Sequence, residues 1–231
     1  MKNQVYILDI NGPHGISVKS WLNRDHLALI IVDMQNYMTD YQLSSQWSAG
    51  NSEEYYFTRF EKIVLPNIQI LREYFNRIRQ PVIFLRIAYT DEQLRDVPAG
   101  LSRKRLAGDL FDRSGNPFVL QESATASQID HRLAPEPEDM IISKTSSGAF
   151  CTSELDLILR SNGISSLVFT GGITEACVSS SFREAFDRGY LCTLAEDGCI
   201  SSSEKNHEST VKILGRFFGW TTVTQNIIRE S

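Results

Sequence analysis

Ser166-Leu167-Val168-Phe169-Thr170-Gly171-Gly172-Ile173-Thr174-Glu175-Ala176-Cys177-Val178 is the stretch on which the fold turns. Its first part is an unbroken apolar run without polar alternation, which suits a strand buried on both faces. Gly171-Gly172 then permits a tight backbone path, and Glu175 to Arg188 carries helical periodicity. The same strand-then-helix grammar recurs on either side. Apolar runs fall at Leu27 to Val32, Pro81 to Ala88, Met140 to Ser143 and Tyr190 to Ala195, with a β-branched stretch at Trp220 to Thr224 as a sixth strand. Helical segments lie between them at Tyr55 to Arg79, Ser153 to Asn162 and Ser203 to Phe217. Alternation of this kind predicts an α/β fold, a parallel sheet joined by right-handed crossovers with helices on both faces. Asn162-Gly163 and Gly189 mark helix ends, and Pro66 kinks the long first helix or begins a second one.

A chain of 231 residues with 42% apolar and 22% charged residues fills one core of generous size. We read residues 27–225 as a single domain, residues 1–26 as an N-terminal extension and residues 90–137 as a long excursion with short helices. The net charge of −5, without a basic block, gives no support to a nucleic-acid or anionic-membrane surface. No apolar run is long enough to cross a bilayer and the start is polar, so the expected location is cytoplasmic. The four cysteines form no CxxC pair, and no two of the four histidines share ligand spacing. Neither a disulfide framework nor a bound metal is expected, and no cofactor.

In an open parallel sheet, ligands bind beyond the carboxyl ends of the strands. There the sequence places a carboxylate (Asp33), an amine (Lys144) and a thiol (Cys177). A cysteine at a helix start meets unpaired amides and the positive end of the helix dipole, both of which favour the thiolate. Amides near Ile173 and Cys177 could converge on one oxygen as an oxyanion hole. Lys144 adds positive charge, and Asp33 could take the thiol proton and return it to a leaving amine.

Three blocks, in order, carry a family resemblance. Ala28-Leu29-Ile30-Ile31-Val32-Asp33-Met34-Gln35-Asn36, Ile141-Ile142-Ser143-Lys144-Thr145-Ser146-Ser147-Gly148-Ala149-Phe150 and Thr170-Gly171-Gly172-Ile173-Thr174-Glu175-Ala176-Cys177-Val178 resemble the catalytic blocks of the isochorismatase-like cysteine hydrolase superfamily. The likeness is to its amidohydrolase branch, that of N-carbamoylsarcosine amidase and the ureidoacrylate and biuret amidohydrolases. The resemblance implies a Rossmann-like three-layer α/β/α fold, with six parallel strands in the order 3-2-1-4-5-6. It also implies a catalytic triad of Asp33, Lys144 and Cys177, and a non-proline cis peptide at Gly172–Ile173. The activity implied is hydrolysis of a C–N bond in a small amide or ureido compound through a cysteine thioester, with release of ammonia. A vinyl-ether hydrolase of isochorismate type and a catalytically silent relative that binds a metabolite or partner are the alternatives. Related nicotinamidases hold a metal with histidines after the second strand, and Arg86 to Glu92 contains none.

Around the triad, Gln35, Tyr37 and Phe150 lie close enough in sequence to line a pocket, with Gln35 able to bond an amide. Arg86 either clamps a substrate carboxylate or forms a salt bridge. The aromatic stretch of Trp47, Tyr55, Tyr56 and Phe57 closes over substrate, packs in the core or makes a subunit contact, and Asp197, although at a strand end, is read as structural. The extension and the aromatic stretch make a homodimer or homotetramer the expected assembly.

Overall fold

A computed structural model describes residues 5–11, 17–41, 43, 53–91, 93–100 and 120–229. Six strands form one all-parallel sheet: β3 (Leu27–Val32), β4 (Val82–Ile87), β5 (Met140–Lys144), β6 (Ser166–Gly172), β7 (Leu191–Ile200) and β8 (Trp220–Thr222). Their spatial order is β5-β4-β3-β6-β7-β8, which is the 3-2-1-4-5-6 order when the sheet strands are counted along the chain. The sequence extends outward in both directions from β3, so the switch point lies between β3 and β6. Every residue of β3 and of β6 is buried, the reason that these runs contain no alternation.

Helices cover both faces. On one, α3 (Leu65–Arg77) lies against β3, β4 and β7, with the C-terminal α7 (Thr224–Ile228) beside it. On the other, α4 (Leu155–Ser161), α5 (Ser179–Asp187) and α6 (Glu204–Phe217) follow β5, β6 and β7. The expected glycine stops are present: Gly163 and Gly189 adopt φ of 68° and 88° and close α4 and α5. At the other end, the Ser203 hydroxyl accepts the Asn206 amide and caps α6.

The long first helix resolves into three pieces. The helix α2 (Glu53–Arg59) runs into a π-helical turn at Phe60–Val64, and α3 starts at Leu65 with Pro66 in its first turn. Of the excursion, residues 92 and 101–119 lie outside the described residues, as does Trp47. Its described end carries two short 3₁₀ turns, Thr125–Ser127 and His131–Leu133.

Two features were not foreseen. Ahead of the sheet, β1 (Val5–Asn11) and β2 (Ser17–Asn23) form an antiparallel hairpin that reaches β7, β8 and α7. In addition, β7 runs on to Ile200 by looping out residues between Leu194 and Cys199, where its pairing with β6 shifts register. Asp197 sits in that irregularity, and its carboxylate accepts the Thr224 amide and hydroxyl at 2.8 Å, so it caps α7 in a structural role. Among the described residues, no helix is long and apolar enough to cross a membrane.

Candidate active site

Asp33 is the first residue beyond β3. Its amide still bonds Leu85 O at 2.9 Å, but its φ of 50° swings the chain out of the strand direction. Lys144 ends β5, which lies two strands away across β4. At roughly 4.8 Å per interstrand step, about 10 Å must be bridged, a distance that calls for a long side chain. Lys144 spans it: Nζ lies 2.8 Å from Asp33 Oδ2 and 3.0 Å from Ser146 O, with both side chains of the ion pair fully buried. The Ser146 hydroxyl closes the following turn by donating to Gly148 O at 2.7 Å.

Cys177 lies in a π-helical turn, Thr174–Val178, between β6 and α5. Such turns inside helices concentrate at functional sites. Glycines allow the approach. Gly171, at φ 107°, lies beside β3 where any Cβ would collide with the Val32 backbone, and a Cβ on Gly172 would meet Ile200 and the methyl groups of Met38 and Met34. The Gly172–Ile173 peptide is cis. Cys177 is 9% exposed, and its thiol lies close enough to Asp33 and Lys144 for both to act on its ionisation. Carboxylate, amine and thiol therefore meet at the carboxyl end of the sheet.

The electrostatics depart from the expectation of a resting thiolate. Burial pushes the Cys177 thiol up to about 12; Lys144 pulls it down and Asp33 pushes it further up. For Lys144, burial disfavours the charge, but Asp33 and Cys177 outweigh it and the net shift is upward. Desolvation thus defeats the helix-start effect. The resting arrangement is an ammonium–carboxylate pair beside a neutral thiol, with an acceptor poised for its proton.

The four proposed substrate contacts lie differently. Gln35 is fully buried, donating Nε2 to Ile87 O at 2.9 Å and Ser127 O at 2.8 Å while Oε1 accepts the Ile87 amide at 2.8 Å. Its amide clamps the Asp33 turn to β4 and to the returning excursion instead of facing a ligand. That seam continues through Asn36 N to Gln128 O and Asp130 N to Met34 O, both 2.9 Å. Arg86 pairs with Ser143 across β4 and β5, so both side chains leave the sheet on the face opposite to Ile87 and Lys144. Its guanidinium bonds Ser143 Oγ at 3.1 Å and Glu122, which realises the salt-bridge alternative. Phe150 packs on Tyr190 and under Arg188, toward α5. Tyr37 is buried in α1 (Asn36–Thr39). In the aromatic stretch, Tyr56 is core while Phe57 stacks edge-on against Tyr56 and Tyr41.

Sequence reasoning missed the outer supports of the turn that carries Cys177. Glu175 accepts Ser201 Oγ at 2.7 Å, Ser202 N at 3.1 Å and the Ser202 hydroxyl. Thr174 contacts the buried His207, which in turn contacts Arg59. Thr174 and Glu175 are signalled in sequence only by proximity to Cys177, and His207 and Arg59 by nothing. Among the described residues, no group of three or more His, Cys, Asp or Glu side chains could hold a metal ion. The other thiols are Cys192 and Cys199 in the core and Cys151 at the surface.

Residues 27–226 match the isochorismatase domain family. Among curated proteins, the chain is 31% identical over 130 residues to the ureidoacrylate amidohydrolase RutB of Variovorax paradoxus, over 56% of this chain and about half (48%) of that one. It is 26% identical over 209 residues to the RutB of Acinetobacter baylyi, over 88% of this chain and 83% of that one. Among solved structures, a cysteine hydrolase from Pseudomonas syringae pv. phaseolicola superposes with a TM-score of 0.75 at 19% identity, over 99% of this chain and 97% of that one, a likeness of fold.

Proposed function

The chain belongs to the isochorismatase family, and from that premise we propose that it is a cysteine amidohydrolase cleaving a C–N bond of a small ureido, carbamoyl or amide compound. One observation carries the reading: a thiol held against a buried Asp33–Lys144 ion pair. The curated relatives named ureidoacrylate amidohydrolases support the substrate class.

Under this reading Asp33 takes the proton of Cys177 as Sγ bonds to the substrate carbonyl carbon. Because the thiol rests neutral, sulfur becomes nucleophilic only while the base accepts its proton. The carbonyl π electrons move onto oxygen, and the oxyanion is held by the backbone amides of Ile173 and Cys177. Lys144 keeps the carboxylate aligned and offsets its charge. When the tetrahedral adduct collapses, the C–N bond breaks, Asp33 returns the proton to the amine and ammonia leaves. Water, deprotonated by Asp33, then attacks the thioester, releasing the acid and restoring the thiol. No step requires a metal or cofactor.

The test is ammonia release from a panel of ureido acids, carbamoyl amino acids and simple amides, run with and without chelator. Replacing Cys177 with Ser or Ala should abolish turnover while leaving the far-UV spectrum unchanged. Full activity in either variant removes sulfur from the mechanism. Turnover of a vinyl ether without ammonia release would replace the proposal by the isochorismate-type alternative.

A further inference from the structure

Thr174 follows the oxyanion residue Ile173 and opens the turn that carries Cys177. Its hydroxyl lies 2.9 Å from Ile200 O and 3.0 Å from His207 Nδ1. His207 comes from α6 and is buried, and its Nε2 lies 3.0 Å from an Arg59 Nη2 of α2. The proton directions in this chain are determined by chemistry. A guanidinium only donates, so Nε2 must accept; the ring is then neutral with its proton on Nδ1, which donates to Thr174. The single Thr174 proton goes to Ile200 O. Burial and the Arg59 charge hold His207 down to about 4, which keeps the ring in that neutral form at ordinary pH. Arg59 is itself fixed, donating to Cys199 O and Glu196 O at 3.1 Å each. With Glu175 bound to Ser201 and Ser202, both residues that open the nucleophile turn are anchored to the segment following β7.

We propose that His207 is a positioning residue for the nucleophile: a neutral link between Arg59 and Thr174 that holds the π-helical turn so that the Cys177 thiol stays on the Asp33–Lys144 pair. The inference rests on Cys177 being the nucleophile. It adds a residue 30 positions away in sequence, on the helix α6.

Three substitutions separate positioning from space filling. His207→Asn places an N–H where Nδ1 was and loses the bond from Arg59. His207→Gln reaches toward Arg59 and loses the donor to Thr174. His207→Leu loses both. Each folded variant is assayed for ammonia release, and the rate of Cys177 alkylation by iodoacetamide is read on the intact protein by mass spectrometry. Gln and Leu should lower kcat by about tenfold or more with KM changed less than about threefold, as expected when the placement of the attacking sulfur is disturbed and substrate binding is not. Both should change the Cys177 alkylation rate, whereas Asn, which keeps the donor to Thr174 and loses only the Arg59 end of the link, should be impaired less than either in both readouts. Equal kcat and equal alkylation across the three variants would overturn the proposal, as would an Asn variant as impaired as Leu. If Leu does not fold, the Asn–Gln contrast decides. Failure of the nucleophile reading shows separately, as undiminished turnover in Cys177→Ser, while alkylation still reports whether His207 governs the thiol.

Discussion

Replacing Lys144 with Met keeps the length of the side chain and removes only its charge. Both members of the ion pair are sealed from water at 2.8 Å separation, so the Asp33 carboxylate would remain in a dry crevice without its cation. Breaking a buried pair from one side costs about 3–5 kcal/mol, a large part of the roughly 5–15 kcal/mol that separates folded from unfolded chains. At about 2–4 °C per kcal/mol for a chain of this size, the melting temperature should fall by roughly 10 °C. Adding Asp33→Asn should restore most of the stability at neutral pH while leaving the protein inactive, since matched removal of both charges avoids the orphaned ion. Urea unfolding of the parent, both single variants and the double variant gives the coupling energy directly. A Lys144→Met variant within about 1 kcal/mol of the parent, or a double variant no more stable than the single, would refute the claim that the pair is electrostatically interdependent.

Gly171→Ala should give little soluble protein, or a loss of about 4 kcal/mol or more, because a methyl at φ 107° would enter the Val32 backbone; a normal melting temperature would contradict the packing of β6 on β3. Gln35→Leu strands Ile87 N, Ile87 O and Ser127 O in the interior. It should cost about 3 kcal/mol and speed hydrogen exchange at the Ile87 amide, and unchanged exchange would deny the clamp. At alkaline pH, burial holds Cys177 at about 12 and raises Cys192 and Cys199 as well, whereas on unfolding all three ionise near their ordinary 9.0. Stability should therefore be full below about pH 9 and decline as pH rises toward 12; a urea midpoint that stays flat over that window would be the contrary result. On the acid side, His207 lies at about 4 instead of 6.5, between Arg59 and Thr174. The folded chain should lose up to about 3 kcal/mol as pH falls from 6.5 to 4, a limb that His207→Asn should flatten.

The sheet was legible because strands such as β3 and β6, covered on both faces, leave continuous apolar runs, and because their order of appearance with helices between them restricts the topology. Asp33, Lys144 and Cys177 were legible for a related reason: parallel strands deliver the residues that follow them to one edge. What escaped depends on partners distant in the chain. Gln35 reads as a pocket amide until its bonds to Ile87 and Ser127 are seen, and nothing near His207 announces Arg59 or Thr174. Arg86 shows how one strand residue reverses a face: period-2 alternation puts it opposite Lys144, although the two stand at the same sheet edge. The rule that a helix start favours thiolate is local, and it failed at Cys177 because burial is set by the whole fold. The hairpin at the N-terminus and the π-helical turns have no periodicity of their own to betray them.

A sulfur that waits in its protonated form has a chemical consequence outside turnover. The thiolate, not the thiol, attacks peroxide and disulfides, so a reserve of neutral, enclosed Cys177 is shielded from the sulfenic and sulfinic products that inactivate permanently ionised thiols. The surface thiol of Cys151 stands in the path of oxidants first. Damage in aerated solution would accordingly accumulate at Cys151 before Cys177.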